Sequence, residues 1–366
     1  MTDAVSPLDR YSRQVRFSGI GAAGQTTLMQ GRALLCGCGA LGTVIAETLV
    51  RAGLGFLRII DRDFVETTNL QRQVLFDERD VAEQLPKAEA AARKLRQINS
   101  TVTIEPIVAD VNHRNLREWL TDIDVILDGT DNFETRFLLN DASLETGVPW
   151  IYGGCTGSHG QSMTILPGES ACLRCIMDAP PPAGATETCD TAGVIGPAIQ
   201  VVAAMQSVAA LKLLSGQRHL IAPVLTIVDV WEGTHRTMKL EGLRERGDCP
   251  ACGKGERRWL TGSDVSITTI LCGRNSVQVS PATNATLDLT RLAESLQAVG
   301  TVTRNPFLLR VQLNEPAVQL TVFRDGRAIV QGTEDPAVPL TRRTGLHGVP
   351  RRSLNRLTCR GATGLQ

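Results

Sequence analysis

The run Gly37-Cys38-Gly39-Ala40-Leu41-Gly42 is a glycine-rich turn between a short apolar stretch, Ala33 to Cys36, and a segment of helical spacing, Thr43 to Ala52. Glycines there let the backbone approach a phosphate, and the following helix N-terminus offers unpaired N–H groups to the anion. A second apolar run, Phe56 to Ile60, delivers Asp61 nineteen residues beyond Gly42, where a carboxylate can hold ribose hydroxyls. The loop and Asp61 alone suit a nicotinamide-dependent oxidoreductase. Asp63, Asn69, Gln71 and Arg72 follow, and then Lys87 in Pro86-Lys87-Ala88-Glu89. A dehydrogenase has no need of this basic block. Adenylyl transfer does, because negative charge develops on the α-phosphate and on departing pyrophosphate, and fixed Arg and Lys side chains stabilise it. Singly, Arg72 and Lys87 read first as solvated surface charges, as most Arg and Lys are; together, just beyond the second strand, they point to adenylyl transfer.

Asp124 to Asp128 reads as a buried strand ending in Gly129-Thr130-Asp131-Asn132. Functional residues of open α/β sheets collect at the carboxyl ends of strands, and a carboxylate at Asp131 suits Mg²⁺ bridging ATP phosphates. The other reading of Asp131 is a cap on the helix from Phe133. Cys172-Leu173-Arg174-Cys175 and Cys249-Pro250-Ala251-Cys252 offer four thiolates, the donor set of a tetrahedral structural Zn²⁺ with no open position; a redox dithiol pair or four buried free cysteines are the alternatives. Met177 to Gly196, rich in Pro, Gly, Ala and Thr, reads as a mobile crossover loop. Within it Cys189, preceded by Thr188, stands just ahead of a long apolar helix. That setting lowers a thiol's pKa and makes it a nucleophile; otherwise Cys189 is an incidental loop thiol.

These motifs resemble the ThiF/MoeB family, adenylyltransferases that activate ubiquitin-like sulfur carriers and are related to ubiquitin-activating enzymes. The family's glycine loop, Asp after the second strand, Asn-Leu-Gln-Arg block and downstream Lys match Gly37 to Gly42, Asp61, Asn69-Leu70-Gln71-Arg72 and Lys87. The resemblance runs from about Arg10 to about Gly253. It implies that Gly37, Gly39, Ala40, Gly42, Asp61, Asp63, Asn69 to Arg72, Lys87, Asp131 and Asn132 contact ATP and that Asp131 holds Mg²⁺. It also implies that Arg13, in Arg10-Tyr11-Ser12-Arg13-Gln14, is an arginine finger reaching the neighbouring subunit's site, so that the active unit is a homodimer. The implied reaction is adenylylation of the terminal glycine of a carrier ending in Gly-Gly, with Cys189 as a later acceptor of the acyl group or sulfur. The carrier's pathway stays open among molybdenum cofactor, thiamine, tRNA thiolation and a natural product. No rhodanese-like module is recognisable, which leaves the sulfur donor undefined, a separate donor protein being one candidate. A catalytically silent scaffold is the remaining rival.

Composition bounds the rest. Thirty-eight basic and 38 acidic residues cancel, which argues against a nucleic-acid binder. The N-terminus lacks an apolar signal core, and the CxxC pairs fit a reducing cytosol. Val194 to Leu214 is apolar nearly all round, but Pro197, Gln200, Gln206 and Lys212 favour a buried or dimer-interface helix over a membrane span. The expected fold is an α/β Rossmann-like ATP-binding domain, with a mostly parallel sheet and a structural zinc, over residues 1–255. Helices are expected over Glu83 to Asn99, Asn115 to Leu120 and Leu289 to Val299. Strands are expected over Val102 to Val108, Pro149 to Tyr152, Gly160 to Leu166, Val224 to Val230, Thr237 to Leu240 and Val277 to Val279, and near Phe307 to Leu313, Val318 to Phe323 and Ala328 to Val330. Beyond a charged joint at Glu256-Arg257-Arg258, residues 256–338 read as a small α+β domain suited to docking partners, with a hairpin turn at Asp325-Gly326 and Cys272 as a core residue. Residues 339–366, rich in Arg and Gly, read as disordered.

Overall fold

The structure is a computed structural model. It describes residues 6–181, 189–263, 268–271, 276–279, 287–298, 300–313, 318–324, 326 and 328–332, without the side chains of 189, 190, 268–271 and 276–279. The chain divides into two units, Met1–Asp264 and Val265–Gln366.

In the first unit, α1 (Ser12–Val15) and α2 (Gly21–Leu28) lead into β1 (Arg32–Cys36), α3 (Ala40–Ala52) and β2 (Phe56–Asp61). Next come α4 (Glu78–Ala82), α5 (Lys87–Ile98), β3 (Thr103–Val108), α6 (Leu116–Trp119), β4 (Val125–Asp128), α7 (Phe133–Thr146), β5 (Trp150–Thr156) and β6 (His159–Ile165). The short α8 (Leu173–Ile176) and α9 (Cys189–Ala192) precede α10 (Gly196–Leu214) and the hairpin of β7 (Val224–Asp229) and β8 (Thr234–Lys239). The sheet order is β3-β2-β1-β4-β5-β6-β7-β8. Pairing is parallel from β3 to β5 and antiparallel from β5 to β8. β1 therefore lies between β2 and β4, and the winding reverses there, which opens a crevice at the carboxyl ends of the strands.

Side-chain alternation along these strands builds a layer on each face. Ala33, Leu35, Leu57, Ile59, Val125 and Leu127 point into one core with α3, α5 and α10. Their neighbours Leu34, Cys36, Phe56, Ile60 and Ile126 point into the other, with α7 and the cysteine segment. The helix expected from Glu83 starts instead at Lys87: Pro86 takes an extended ψ of 139° as its N-cap, while α4 closes separately through a capping box of Asp77 and Asp80. By length and composition α10 could cross a membrane. Ala198, Ile199, Val202 and Ala203 are nevertheless buried, and buried Gln206 donates to the carbonyls of Asp128 and Ile151.

The first unit continues past Glu256-Arg257-Arg258. The Trp259 ring packs 4.5 Å from Phe137, and the N–H groups of Trp259 and Leu260 donate to the buried carboxylate of Asp141. The second unit is an antiparallel sheet of β9 (Thr268–Leu271), β10 (Ser276–Val279), β11 (Gly300–Arg304), β12 (Leu308–Leu313), β13 (Gln319–Phe323) and β14 (Ala328–Gln331), ordered β11-β12-β13-β14-β10-β9. One helix, α11 (Leu289–Leu296), buries Leu289, Ala293 and Leu296, spaced to share a face, in a core with Leu309, Val311, Leu320 and Val322. β9 and β11 are strands that the sequence pattern does not announce. Thr188, Cys272, Asp325 and residues 339–366 lie outside the described residues.

Candidate nucleotide site and metal centre

The loops after β1 and β4 meet backbone to backbone at the crevice. Gly37 has a φ of +85°, a conformation open to glycine. A Cβ on Gly42 would stand 2.1 Å from the Gly37 carbonyl oxygen, and one on Gly129 would stand 2.2 Å from the same atom. Gly39 is the N-cap of α3, and no side chain caps that helix. Its first-turn N–H groups are thus left for an anion.

Asp61 ends β2 directly beside this loop. Its carboxylate accepts the backbone N–H of Cys38 at 2.6 Å and of Asp63 at 2.7 Å, leaving lone pairs for further hydroxyl donors. Burial pushes its pKa up, while Lys87 pulls the other way. Lys87, 4% exposed, opens α5 and places its Nζ 3.3 Å from an Asp63 carboxylate oxygen, while its N–H donates to the Asp63 carbonyl at 2.9 Å. Lys87 and Asp63 are therefore joined through both backbone and side chain. Between the two aspartates, Arg62 pairs with Asp110 at 3.1 Å. Burial opposes the Arg62 charge, but Asp110, Asp63 and Asp131 outweigh it and hold the guanidinium protonated beyond its ordinary range. Sequence reading passed over Arg62 and Asp110; the only signal was a basic residue set between two flagged acids.

Asp131 lies one turn beyond β4 and is exposed. It does not cap α7: that role belongs to Asn132, whose Oδ1 accepts the N–H groups of Glu134 and Thr135 at 2.8 and 3.4 Å. On the other side, Thr130 donates both its N–H and its hydroxyl to Asp128 at 2.9 and 2.7 Å. Its carbonyl accepts from Arg136 at 2.7 Å. Arg136, buried on α7, also donates to the Gly153 carbonyl and faces Asp128 at 3.3 Å. Burial raises the pKa of Asp128, while Arg136 and Thr130 oppose the rise. Asp131 thus projects between two fixed neighbours, and its anchor, Arg136, was missed in the sequence although it sits four residues after Asn132, on the same helical face.

The remaining residues flagged in the sequence are spread around this centre. Asn69 is buried and spends its side-chain oxygen on the Glu66 N–H. Leu70 packs against the core, Gln71 is exposed, and the half-buried Arg72 donates to the Thr68 carbonyl at 2.8 Å. Arg13 is exposed. Its neighbours Tyr11 and Gln14 anchor at the far end of α3: the Tyr11 ring lies under Gly53 and Gln14 donates to the Ala52 carbonyl at 3.0 Å. A helix of 13 residues puts that end about 20 Å from its own glycine loop. Cys189 begins α9, but its side chain lies outside the described residues.

The four knuckle cysteines do come together. Their sulfurs all lie within 4.8 Å of one another, with separations of 3.9 Å (Cys172 to Cys175), 3.7 Å (Cys172 to Cys249) and 3.4 Å (Cys175 to Cys252). Tetrahedral coordination with metal–sulfur bonds of about 2.3 Å places sulfurs about 3.8 Å apart, so the cluster is positioned to bind a metal. Hydrogen bonding within the cluster pulls the Cys252 thiol below its ordinary range while it pushes Cys172 and Cys175 above theirs, so the sulfurs share protons among themselves, and a bound metal would have to displace those protons. Buried Arg174 between the ligands pairs with Glu256 and Asp178, each at 3.3 Å.

Residues 11–251 match the ThiF family. The chain is 44% identical over 329 residues to the sulfur carrier protein ThiS adenylyltransferase of Bacillus subtilis (strain 168), covering 90% of this chain and 96% of that protein. That match is longer than the whole first unit, so it extends into the second and goes beyond the segment on which the sequence resemblance rested. The SAMP-activating enzyme E1 of Haloferax volcanii is 37% identical over 68% of this chain and 90% of its own length. Among solved structures, E. coli MccB with MccA-N7isoASN superposes with a TM-score of 0.59 at 23% identity, over 68% of this chain and 75% of that one, a likeness of fold. With its glycine loop, acidic strand end and four-cysteine centre in place, this chain belongs to the ThiF family.

Proposed function

We propose that this protein is an ATP-dependent adenylyltransferase that activates the C-terminal glycine carboxylate of a small ubiquitin-like sulfur carrier. The observation that carries this reading is the meeting of three groups at one crevice: the uncapped start of α3, the Asp61–Asp63–Lys87 cluster, and Asp131 set between pinned neighbours. The relatives named for sulfur-carrier and SAMP activation support the substrate class.

In this reading the loop from Gly37 to Gly42, with Ala40 in the first turn of α3, receives the phosphates, and Asp61 takes the ribose hydroxyls. Asn69, Leu70, Gln71 and Asn132 line the nucleotide. Asp131 holds Mg²⁺, which when bound offsets charge on the phosphate oxygens. The carrier carboxylate attacks the α-phosphorus in line, and pyrophosphate leaves with the bond electrons. Lys87 and Arg72 stabilise charge on the transferring and departing phosphates, so catalysis is positioning and electrostatics. Arg13, about 20 Å from its own loop along α3, serves a second copy of the chain. The exposed apolar stripe of Val201, Ala204 and Val208 on α10 supports such a homodimer. Cys172, Cys175, Cys249 and Cys252 hold a structural Zn²⁺. Downstream, the Cys189 thiolate attacks the acyl carbonyl, AMP leaves and a thioester forms; a separate protein supplies the sulfur. The free thiols fit a reducing cytoplasm.

Intact mass spectrometry of a ThiS-type carrier ending in Gly-Gly, incubated with the protein and Mg-ATP, tests this. The carrier should gain one AMP, and a carrier lacking its last glycine should not. An unmodified full-length carrier, in the presence of folded protein that binds ATP, would count against the assignment.

A further inference from the structure

Arg174 stands inside the first cysteine knuckle, between Cys172 and Cys175, and its side chain is 3% exposed. Nη1 donates to the Glu256 carboxylate at 3.3 Å, while Nε and Nη2 donate to the carbonyl and the carboxylate of Asp178, each at 3.3 Å. Cζ lies over the Trp259 ring, 5.2 Å from its centroid. Glu256 comes just after Cys252 in the chain, so this one side chain joins the two knuckles. A second guanidinium, that of Arg257, donates from Nη1 to the Ala251 carbonyl inside the other knuckle at 2.9 Å.

Burying a guanidinium is unfavourable unless it is closely paired. The carboxylates that Arg174 meets are 79% (Asp178) and 44% (Glu256) exposed, and pairs with exposed carboxylates contribute little. An apolar side chain would pack against Trp259 as well. A metal accounts for the buried charge. Zn²⁺ held by four thiolates carries about two net negative charges, Cys172 and Cys249 are buried, and Arg174 and Arg257 each bring a positive charge to one knuckle.

We propose that Arg174 is a positioning residue of the metal centre: its guanidinium offsets the net charge of a four-thiolate zinc site and, through Glu256, holds the two knuckles at coordinating distance. The inference rests on the zinc reading above. It separates Arg174 from a packing residue by the dependence of zinc affinity on its charge.

The test uses the full-length, reduced protein and measures Zn²⁺ affinity by competition with a chromogenic chelator. Arg174→Met, which keeps an unbranched side chain against Trp259 without the charge, is expected to lose about ten- to a hundredfold in affinity. Arg174→Lys restores the charge without the planar fork and is expected to recover part of that loss, a rescue that packing alone does not give. Glu256→Gln leaves the four cysteines and the guanidinium in place. It is expected to lose less than Arg174→Met, and it provides the contrast with wild type if the methionine variant does not fold. Zinc affinity equal to wild type in the variants that fold, or a loss in Arg174→Met that Arg174→Lys does not relieve, would overturn the assignment and leave the zinc reading intact. A wild-type protein that binds no Zn²⁺ would overturn both.

Discussion

The carbonyl oxygen of Gly37 occupies the space that a side chain on Gly42 would need, 2.1 Å from the position of its Cβ. The same oxygen blocks Gly129, so the first turn of α3 and the loop after β4 are both seated on one peptide. Gly42→Ala must push the loop away from β4. It should lower stability by about 2 kcal/mol or more and abolish measurable ATP binding. Thermal melts with and without Mg-ATP check both effects; a variant that melts like wild type and is stabilised by ATP would show that the loop can move aside.

Asp131 is held in place through its neighbours, Thr130 on Asp128 and Asn132 on α7, and feels the Arg62 charge. Asp131→Asn should therefore leave the melting temperature unchanged. It should slow adenylylation about a hundredfold or more and raise the Mg²⁺ concentration needed for half-maximal rate. A large drop in melting temperature would instead assign Asp131 to the fold.

The cysteine cluster should carry about one zinc per chain, because four thiolates at tetrahedral spacing leave no open position. Metal analysis of purified protein measures this. Cys249→Ser should lose the zinc and a large part of the stability of the first unit, since the cluster ties the segment after β6 to the segment before Trp259. Retention of full stability after zinc removal would contradict a structural role.

Asp141 gives a pH signature. Buried with one oxygen unpartnered, its carboxyl is pushed up by burial from 3.8 to about 6, although the Trp259 and Leu260 N–H groups favour the charged form. The folded state thus binds the proton more tightly than the unfolded state. The group's stabilising contribution is full below about pH 4, is lost as pH rises through about 6, and is flat above that. Asp141→Asn should be more stable than wild type at pH 7, by at most about 3 kcal/mol, with the advantage gone near pH 4. Parallel stability curves for the two proteins would refute this.

Much of the site was legible because its chemistry depends on local spacing. The glycine loop, Asp61, Lys87 and the CxxC pairs each carry their signal within a few residues, and parallel strands buried on both faces read as plain apolar runs. What escaped was set by tertiary contact. Arg136 looks like an ordinary helix residue until α7 folds onto the end of β4, and Gln206, legible as a polar residue in a buried helix, finds its partners on β4 and β5 through the fold alone. Asp131 and Asn132 are adjacent and both suited to capping, so only backbone geometry assigns the cap to Asn132. The helix expected from Glu83 was shortened by Pro86, whose extended conformation outweighed the helical periodicity on either side. In the second unit, β11 carries Gly300, Thr301 and Thr303 with little apolar alternation, and it becomes a strand through its pairing with β12.

The central claim is most directly tested by carrier-dependent exchange of labelled pyrophosphate into ATP, comparing wild type with Asp131→Ala and full-length carriers with carriers lacking the terminal glycine. The adenylyltransferase account predicts exchange that requires both the carrier's last glycine and Asp131. Carrier-independent exchange, or none with any Gly-Gly carrier in folded and zinc-loaded protein, would contradict it.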